Sequence, residues 1–464
     1  MYQVTAKDIA EACGGTILTG NPDTVLRNIS IDSRKMQGED LFVPIIGEKN
    51  DAHRFIGQAM ENGAAASLTS EHDSAPEGFP GVLIRVEHTV KALQAIGRML
   101  RARLNIPVIG ITGSVGKTST REITALAVAA KYNTFKTPAN HNSQVGVPIT
   151  ISEIGPEAEA AVLELGMSEP GEMSLISEIA RVDIAVVTNI GVAHIENLGS
   201  RENIMKEKLH IQDGMKEGGV LIVNGDNDLL KTVLPKAGIR LIRYGTEAYN
   251  DCRAEDIRLE NGYPRFTCVF GEKRVPVSLS VMGEHHILNA LAAIAAADCL
   301  GVAPEDAAKA LEKYTGFKGR QDITFTDGMT IIDDSYNASP DSMKAALRVL
   351  HSVTDCSRRI AVLGDMKELG PEEVRFHRDI GAAIAGLHLD LLVTYGSLAR
   401  EFAKGAYAAG GFRDNLRIEA FDAPEDKEEL TAFLKSELKP GDAVLFKGSN
   451  SMKLGEIAAC FTRK

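Results

Sequence analysis

The chain has 464 residues, of which 44% are hydrophobic and 25% charged; these are ordinary values for a globular protein and exclude extensive disorder. At roughly 100–200 residues per domain, this length predicts about three domains. The net charge of -12 argues against a nucleic-acid partner, because neutralising phosphates requires a basic face.

The first 85 residues indicate a small α/β domain. Short β-rich runs at Ile29–Ile31 and Leu41–Ile46 are separated by turn residues. A helix follows, for which we predict Thr89 as the N-cap, and Pro107 ends this segment. The sequence therefore predicts an N-terminal domain over 1–85.

The next segment, 86–318, predicts a central domain with a mostly parallel sheet. Its strands are short, apolar and β-branched, which is typical of strands buried on both faces. The predicted strands are Val108–Thr112, Ala161–Leu165, Ile184–Thr188 and Val220–Asn224. Hairpins are expected from Asp256 to Ser280, with a tight turn at Asn261-Gly262. A helix from about Glu284 to Leu300 closes the domain.

The apolar stretch Ile287–Ala303 is interrupted by Asn289 and Asp298, so it predicts a buried helix and no membrane span. The six cysteines are far apart and form no C-x-x-C pair. This pattern suits a reducing cytoplasm and gives no zinc site. Because no long heptad pattern is present, we expect a monomer.

The remaining segment, 319–464, predicts a C-terminal Rossmann-like α/β domain. Its predicted strands are Thr330–Asp333, Ile360–Leu363, Leu391–Tyr395 and Ala443–Phe446. Helical segments alternate with these strands, and ligands of such sheets bind beyond the carboxyl ends of the strands. The predicted fold class is therefore α/β with three domains.

A glycine-rich loop joins the first central strand to a helix predicted from about Ser119 to Ala130. Glycines let backbone N–H groups approach phosphate oxygens, and a helix N-terminus favours negative charge. Lys117 would reach the β- and γ-phosphates of ATP, and the Thr118 hydroxyl would hold Mg²⁺. The strict phosphate-loop pattern fails at one position, because Ile111 stands where its first glycine belongs.

Three further residues are candidates for chemistry near this loop. Glu164 ends a buried strand, where an acid needs a partner, and that partner is either a metal ion or a cation of the protein. His194 follows the next strand and could ligate a metal or cap a loop. Lys206 and Lys208 lie on a predicted helix and by themselves suggest a solvated face.

Taken together, these motifs resemble the Mur ligase family of cell-wall peptide synthetases. The matching segments are Thr112–Thr120 (TGSVGKTST), Asn140–Asn142 (NHN), Glu164–Gly166 (ELG), His194, Gly283–Ala290 (GEHHILNA) and Gly319-Arg320. Their order matches across essentially the whole chain. The segment Asp333–Pro340 (DDSYNASP) resembles the members that add D-alanyl-D-alanine to UDP-N-acetylmuramoyl-tripeptide. The chain departs from the family at Ser143, Ser339 and Asn450.

The resemblance implies roles for individual residues. The catalytic set would be Lys117, Glu164, His194, Lys208 and Arg320. The ATP-binding set would be Gly113, Ser114, Val115, Gly116, Lys117, Thr118, Ser119, Asn289, Arg320 and Asp334, with Asn289 near the adenine. The substrate set would be Ser33, Arg34, Asn140, Asn142, Tyr336 and Asn337. Two Mg²⁺ ions would be bound at the site. Their ligands would be Thr118, Glu164, His194 and Lys208, whose amine would be carbamylated by CO₂.

The function implied is an ATP-dependent ligase that forms an amide bond through an acyl phosphate. Its partners would be UDP-N-acetylmuramoyl-tripeptide and D-Ala-D-Ala. Two alternatives remain open: another ligase of the same build, such as folylpolyglutamate synthetase, and a nucleotide-binding switch or scaffold without catalysis. A guanine-reading N-K-x-D motif is absent from the sequence, which argues against the switch.

Overall fold

The structure is a computed structural model, and it describes residues 1, 3–47, 50–410 and 416–462. It contains three successive α/β units, each with one main sheet, so the predicted fold class is confirmed. The boundaries 1–85, 86–318 and 319–464 stay predictions, and every described strand pairing falls within one of these ranges. Residues 411–415 and 463–464 of the last range lie outside the described residues.

The N-terminal unit has a five-stranded sheet. Its elements are β1 (Val4–Thr5), α1 (Ala6–Cys13), β2 (Thr16–Thr19), β3 (Val25–Leu26), β4 (Asn28–Ser30), β5 (Asp40–Phe42), α2 (Ile56–Glu61), β6 (Ala64–Thr69) and β7 (Val82–Arg85). The order is β2-β7-β6-β5-β4, and only β2 is antiparallel to its neighbour. The predicted run from Leu41 stops at Phe42, because Pro44 has no N–H to continue the ladder.

The central unit has a nine-stranded sheet. Its elements are α3 (Thr89–Arg103), β8 (Val108–Thr112), α4 (Lys117–Val128), β9 (Thr134–Lys136), α5 (Gly146–Ser152), β10 (Ala160–Glu164), α6 (Glu172–Ala180), β11 (Ile184–Val187), α7 (Ile195–Leu198), α8 (Arg201–Leu209), β12 (Val220–Asn224), β13 (Arg240–Gly245), β14 (Cys252–Glu260), β15 (Tyr263–Phe270), β16 (Lys273–Ser278), α9 (His285–Cys299) and α10 (Pro304–Leu311). The order is β16-β15-β14-β13-β12-β11-β8-β10-β9. Among the described strands of this sheet, the pairings of β15 with β14 and with β16 are antiparallel, and the other pairings are parallel.

Both faces of the central sheet are buried, as the apolar strands predict. Val108 packs into one core cluster, whereas Ile109 and Ile111 pack into the cluster on the other face. The tight turn is confirmed, since Asn261 and Gly262 both have positive φ, as a two-residue hairpin turn requires. Two predictions about helices are wrong. His88, not Thr89, is the N-cap of α3. The helix predicted to close the domain, α9, is followed by a further helix, α10.

The predicted buried helix is α9, whose residues 290–297 are inaccessible to solvent. Among the described residues, no helix combines the length and apolarity needed to cross a membrane. The six cysteines are unpaired.

The C-terminal unit has a six-stranded sheet that adds two strands to the four predicted. Its elements are β17 (Asp322–Thr326), β18 (Met329–Asp333), α11 (Pro340–Ser352), β19 (Arg358–Gly364), α12 (Glu373–Ala385), β20 (Leu391–Tyr395), α13 (Arg400–Ala408), β21 (Arg417–Phe421), α14 (Lys427–Glu437), β22 (Asp442–Lys447) and α15 (Leu454–Thr462). The order is β17-β18-β22-β19-β20-β21, and only β17 is antiparallel to its neighbour. The additional strands β17 and β21 are the two edges, which are half-exposed and so lack a continuous apolar run.

Candidate active site

The glycine-rich loop lies at the carboxyl end of β8, between β10 and β11 in the sheet. Gly113 has φ of 149° and Gly116 has φ of 84°, values that side-chain-bearing residues rarely adopt. Helix α4 begins at Lys117, two residues earlier than predicted, and no side chain among the described residues caps its N-terminus. Its first N–H groups therefore remain available to an anion.

Residues that follow β11 hold this loop in place. The N–H groups of Ser114 and Val115 donate to the backbone and side-chain oxygens of Asn189, at 3.0 and 2.8 Å. The hydroxyl of Thr188 donates to the carbonyl of Val115 at 2.6 Å. Sequence reasoning did not identify these supports, although their place at the end of a neighbouring strand could have indicated them.

Lys117 is close to two other predicted catalytic residues. Its Nζ donates to the carbonyl of Gly113 at 2.8 Å. Burial lowers the pKa of Lys117, the Glu164 carboxylate opposes that shift, and Arg320 lowers the pKa further. The charges of all three side chains therefore act on one another at the phosphate loop.

Glu164 has a protein cation as its partner. Arg121, from α4, approaches its Oε2 through Nη1 at 3.2 Å, and Asn142 donates to its Oε1 at 2.7 Å. Arg121 also donates to the carbonyl of Ala139 and to the carboxylate of Glu122. The sequence left open a metal or a salt bridge, and the salt bridge is present. A carboxylate has about four lone-pair sites, so Glu164 can still accept a further ligand.

Lys208 is buried, which corrects the solvated-face interpretation, while Lys206 on the same helix is exposed. Its relative exposure is 0%, and its Nζ has no hydrogen-bond partner among the described residues. Burial lowers the pKa of Lys208 well below 10.5, and the charge of Lys117 lowers it further. Burial therefore favours the neutral amine, the form that can act as a nucleophile, more than it would for an exposed lysine.

His194 makes a contact between the central and C-terminal units. Its Nδ1 lies 2.7 Å from Oε2 of Glu368, and this contact lowers the pKa of Glu368 below its usual value. Both residues have φ of 63°, an uncommon conformation for residues with side chains. Strained backbone of this kind concentrates at functional sites.

Arg320 faces the phosphate loop from the start of the C-terminal unit. Its guanidinium lies 4.1 Å from the ring centre of Tyr336, and its Nε has no hydrogen-bond partner among the described residues. Asp334 accepts from Lys447 at 2.6 Å and from the N–H of Gln321 at 3.1 Å. The C-terminal unit thus presents an available cation and a carboxylate held by a buried lysine.

Two adjoining cavities lie between the central and C-terminal units. The larger, of about 650 Å³, is lined by Lys117, His194, Arg320 and Asn337. The smaller, of about 200 Å³, is lined by Thr118, Ser119, Asn289, Asp334 and again Arg320. Most of the predicted ATP-binding and catalytic residues therefore meet at one cleft.

Three predicted substrate residues lie elsewhere. Ser33 and Arg34 are in the N-terminal unit and line neither of these cavities. Ser33 donates to Oε1 of Gln58 at 2.9 Å, whereas Arg34 is 78% exposed and pairs with Asp32. Asn140 is exposed on the loop before α5.

The fold and this cleft define a class: α/β proteins with an anion-binding loop that faces a cation from the following unit. Profiles of one family match three consecutive parts of the chain. They are "Mur ligase family, catalytic domain" over 25–101, "Mur ligase middle domain" over 111–297, and "Mur ligase, glutamate ligase domain" over 319–450.

Individual relatives agree over the full length. A UDP-N-acetylmuramoyl-tripeptide–D-alanyl-D-alanine ligase of Bacillus subtilis is 39% identical over 463 residues, with 98% of each chain covered. A crystal structure of MurF from Acinetobacter baumannii has a TM-score of 0.86 and 30% identity, and covers 99% of both chains. MurF of Thermotoga maritima in complex with ADP has a TM-score of 0.81 and 28% identity, covering 95% of this chain and 98% of that one. The chain belongs to the Mur ligase family.

Proposed function

We propose that this chain is an ATP-dependent ligase that joins D-alanyl-D-alanine to UDP-N-acetylmuramoyl-tripeptide and releases ADP and phosphate. The Bacillus subtilis relative is named for this reaction and matches 98% of this chain. Within this chain, the supporting observation is the cavity of about 650 Å³ that both Lys117 and Arg320 line. Such a cleft can bring the phosphates of ATP together with a second anion.

The chemistry has two steps. The terminal carboxylate oxygen of the tripeptide attacks the γ-phosphorus, the bond to ADP breaks, and an acyl phosphate forms. The amine of D-Ala-D-Ala then attacks the acyl carbon, loses a proton, and phosphate leaves. Lys117 and Arg320 would offset the repulsion between the anions in the first step. Enclosure between the two units would protect the acyl phosphate from water.

The residues present fit a Mg²⁺ site of the kind the family implies. Thr118 and Glu164 offer the oxygen ligands that Mg²⁺ prefers, and His194 lies at the same cleft. The Lys208 amine is buried, has no hydrogen-bond partner among the described residues, and has a pKa lowered by burial; these features suit carbamylation by CO₂, which would give Lys208 an oxygen-bearing anion. When bound, Mg²⁺ would supply positive charge at the phosphoryl group.

For the substrates, we propose that Ser33 and Arg34 contact the UDP group. Asn140, Asn142, Tyr336 and Asn337 would contact the peptide parts. We place the reaction in the cytoplasm, and the unpaired thiols support a reducing compartment.

The purified protein should be incubated with ATP, Mg²⁺, a UDP-N-acetylmuramoyl tripeptide and D-Ala-D-Ala, and the product weighed by mass spectrometry. The expected mass is that of the two substrates joined with loss of water, and ADP release over many turnovers should require all components. A parallel panel with glutamate as the acceptor tests the folylpolyglutamate alternative. Multiple turnovers of ADP release without D-Ala-D-Ala would overturn the proposal.

A further inference from the structure

A chain of hydrogen bonds runs from the phosphate-loop helix to the C-terminal unit. The hydroxyl of Thr120 donates to Oδ1 of Asn289 at 3.1 Å, and Nδ2 of Asn289 lies 3.3 Å from Nδ1 of His286. Nε2 of His286 lies 3.3 Å from Oε1 of Gln321, whose Nε2 donates to the carbonyl of Met282. All four linking side chains are at least nine-tenths buried. We call Thr120, Asn289, His286 and Gln321 the relay.

The direction of each bond in the relay follows from its last member. A backbone carbonyl can only accept, so Gln321 must turn its amide nitrogen toward Met282 and its oxygen toward His286. Nε2 of His286 must then carry the proton. Burial and the neighbouring His285 hold the pKa of His286 well below 6.5, so the imidazole is neutral and its Nδ1 accepts.

The relay therefore fixes the orientation of the Asn289 amide. Its nitrogen faces His286 and its oxygen faces Thr120. These two contacts use one N–H and one lone pair of the Asn289 amide. One N–H and one lone pair remain on a side chain that lines the smaller cavity beside the phosphate loop. Adenine presents a donor and an acceptor side by side, which such an amide can match, whereas a 6-oxo purine presents two acceptors there.

We propose that Thr120, His286 and Gln321 are positioning residues that make Asn289 selective for adenine. Gln321 belongs to the C-terminal unit, so the base would be read with full selectivity only when that unit is docked. This inference rests on the proposed function, because it takes the smaller cavity as the nucleotide site.

The test measures the dissociation constants of ADP and of inosine diphosphate by calorimetry, for the full chain, four relay variants and one control variant. We expect the wild type to favour ADP by about tenfold or more, since a well-placed bidentate amide discriminates on that order. His286→Leu and Gln321→Leu should each lower this ratio at least fivefold. Thr120→Val should do the same, whereas Thr120→Ser, which keeps the hydroxyl, should retain the ratio.

A matched control is Gln212→Leu. Gln212 is also buried and also makes two hydrogen bonds, to the carbonyl of Leu209 and from the N–H of Lys236. It lines neither cavity, so its loss should leave the ADP preference unchanged. If Gln212→Leu lowers the ratio as much as Gln321→Leu does, the effect is general destabilisation and the proposal falls.

Two outcomes separate this inference from the proposed function. A wild type that binds ADP selectively but forms no ligated product refutes the function and leaves the relay test intact. A wild type that binds both nucleotides equally, or Thr120→Val and His286→Leu variants that keep the full preference, refutes the relay whatever the ligase activity. Should His286→Leu fail to fold, the Thr120→Val and Thr120→Ser pair decides alone.

Discussion

Arg121 is buried among acids, and its replacement by methionine gives a sharp test of how the site is built. The side chain is 1% exposed and contacts the carboxylates of Glu122 and Glu164, whose side chains are 9% and 3% exposed. It also donates to the carbonyl of Ala139 at 2.8 Å. Arg121→Met keeps most of the volume but leaves Glu164 and the carbonyl of Ala139 without this cation, while Glu122 still pairs with Lys136.

The size of the effect follows from burial. Removing one partner of a buried ion pair costs about 3–5 kcal/mol, because the remaining charge stays desolvated and uncompensated. Arg98 provides the matched control, since it pairs with Glu178 at 3.3 Å but the two side chains are 37% and 56% exposed. For Arg98→Met we expect less than about 1 kcal/mol, as for other exposed pairs.

The assay is urea unfolding followed by far-ultraviolet circular dichroism, because the chain has no tryptophan to report by fluorescence. With three domains, more than one transition is expected, and the free-energy change is read from the transition that shifts. Adding Glu164→Gln to Arg121→Met should recover part of the loss, since the charge left uncompensated on Glu164 is removed. Equal shifts for Arg121→Met and Arg98→Met would refute the argument that burial sets the energy here.

The other predictions concern the phosphate loop and Lys208. Lys117→Ala should abolish ADP release in a coupled assay with both substrates, and full turnover would refute its role. Lys208→Ala should lose most activity and regain part of it with added short carboxylic acids; a fully active variant eliminates the carbamate. Because burial lowers the pKa of Lys208 below 10.5, the unfolded chain binds more protons between the two pKa values. Stability should therefore rise with pH in that window, and Lys208→Met should flatten the rise in denaturation curves. Gly113→Ala would place a Cβ 1.8 Å from Oγ1 of Thr188 and should raise the KM for ATP at least tenfold. Gly171→Ala, also at positive φ but with no atom within 4 Å, is its control and should bind ATP normally.

Much of the fold was predictable because it is encoded locally. The strands β8 and β12 begin and end at the predicted residues, since a run of β-branched residues between turn signals specifies a buried strand. The turn at Asn261-Gly262 was equally local. Edge strands such as β17 and β21 carry no such run, and so the pattern did not reveal them.

The sequence by itself determined the phosphate loop, because its glycines, lysine and helix are consecutive residues with one physical role. It also placed Glu164 at the end of β10 and His194 after β11, the two strands that flank β8, so both lie at the same edge of the parallel sheet as the phosphate loop. Only the tertiary structure decided their partners. Arg121 and Glu164 are 43 residues apart, and His194 meets Glu368 across two units.

The same distinction applies to burial and to the relay. Helical spacing alone gave Lys208 a solvated face, yet packing excludes water from it, and that packing depends on elements far away in the chain. The relay joins α4, α9 and the start of the C-terminal unit. Local pattern fixes what each segment becomes, but which side chains lose water and face each other depends on how the sheets and units pack.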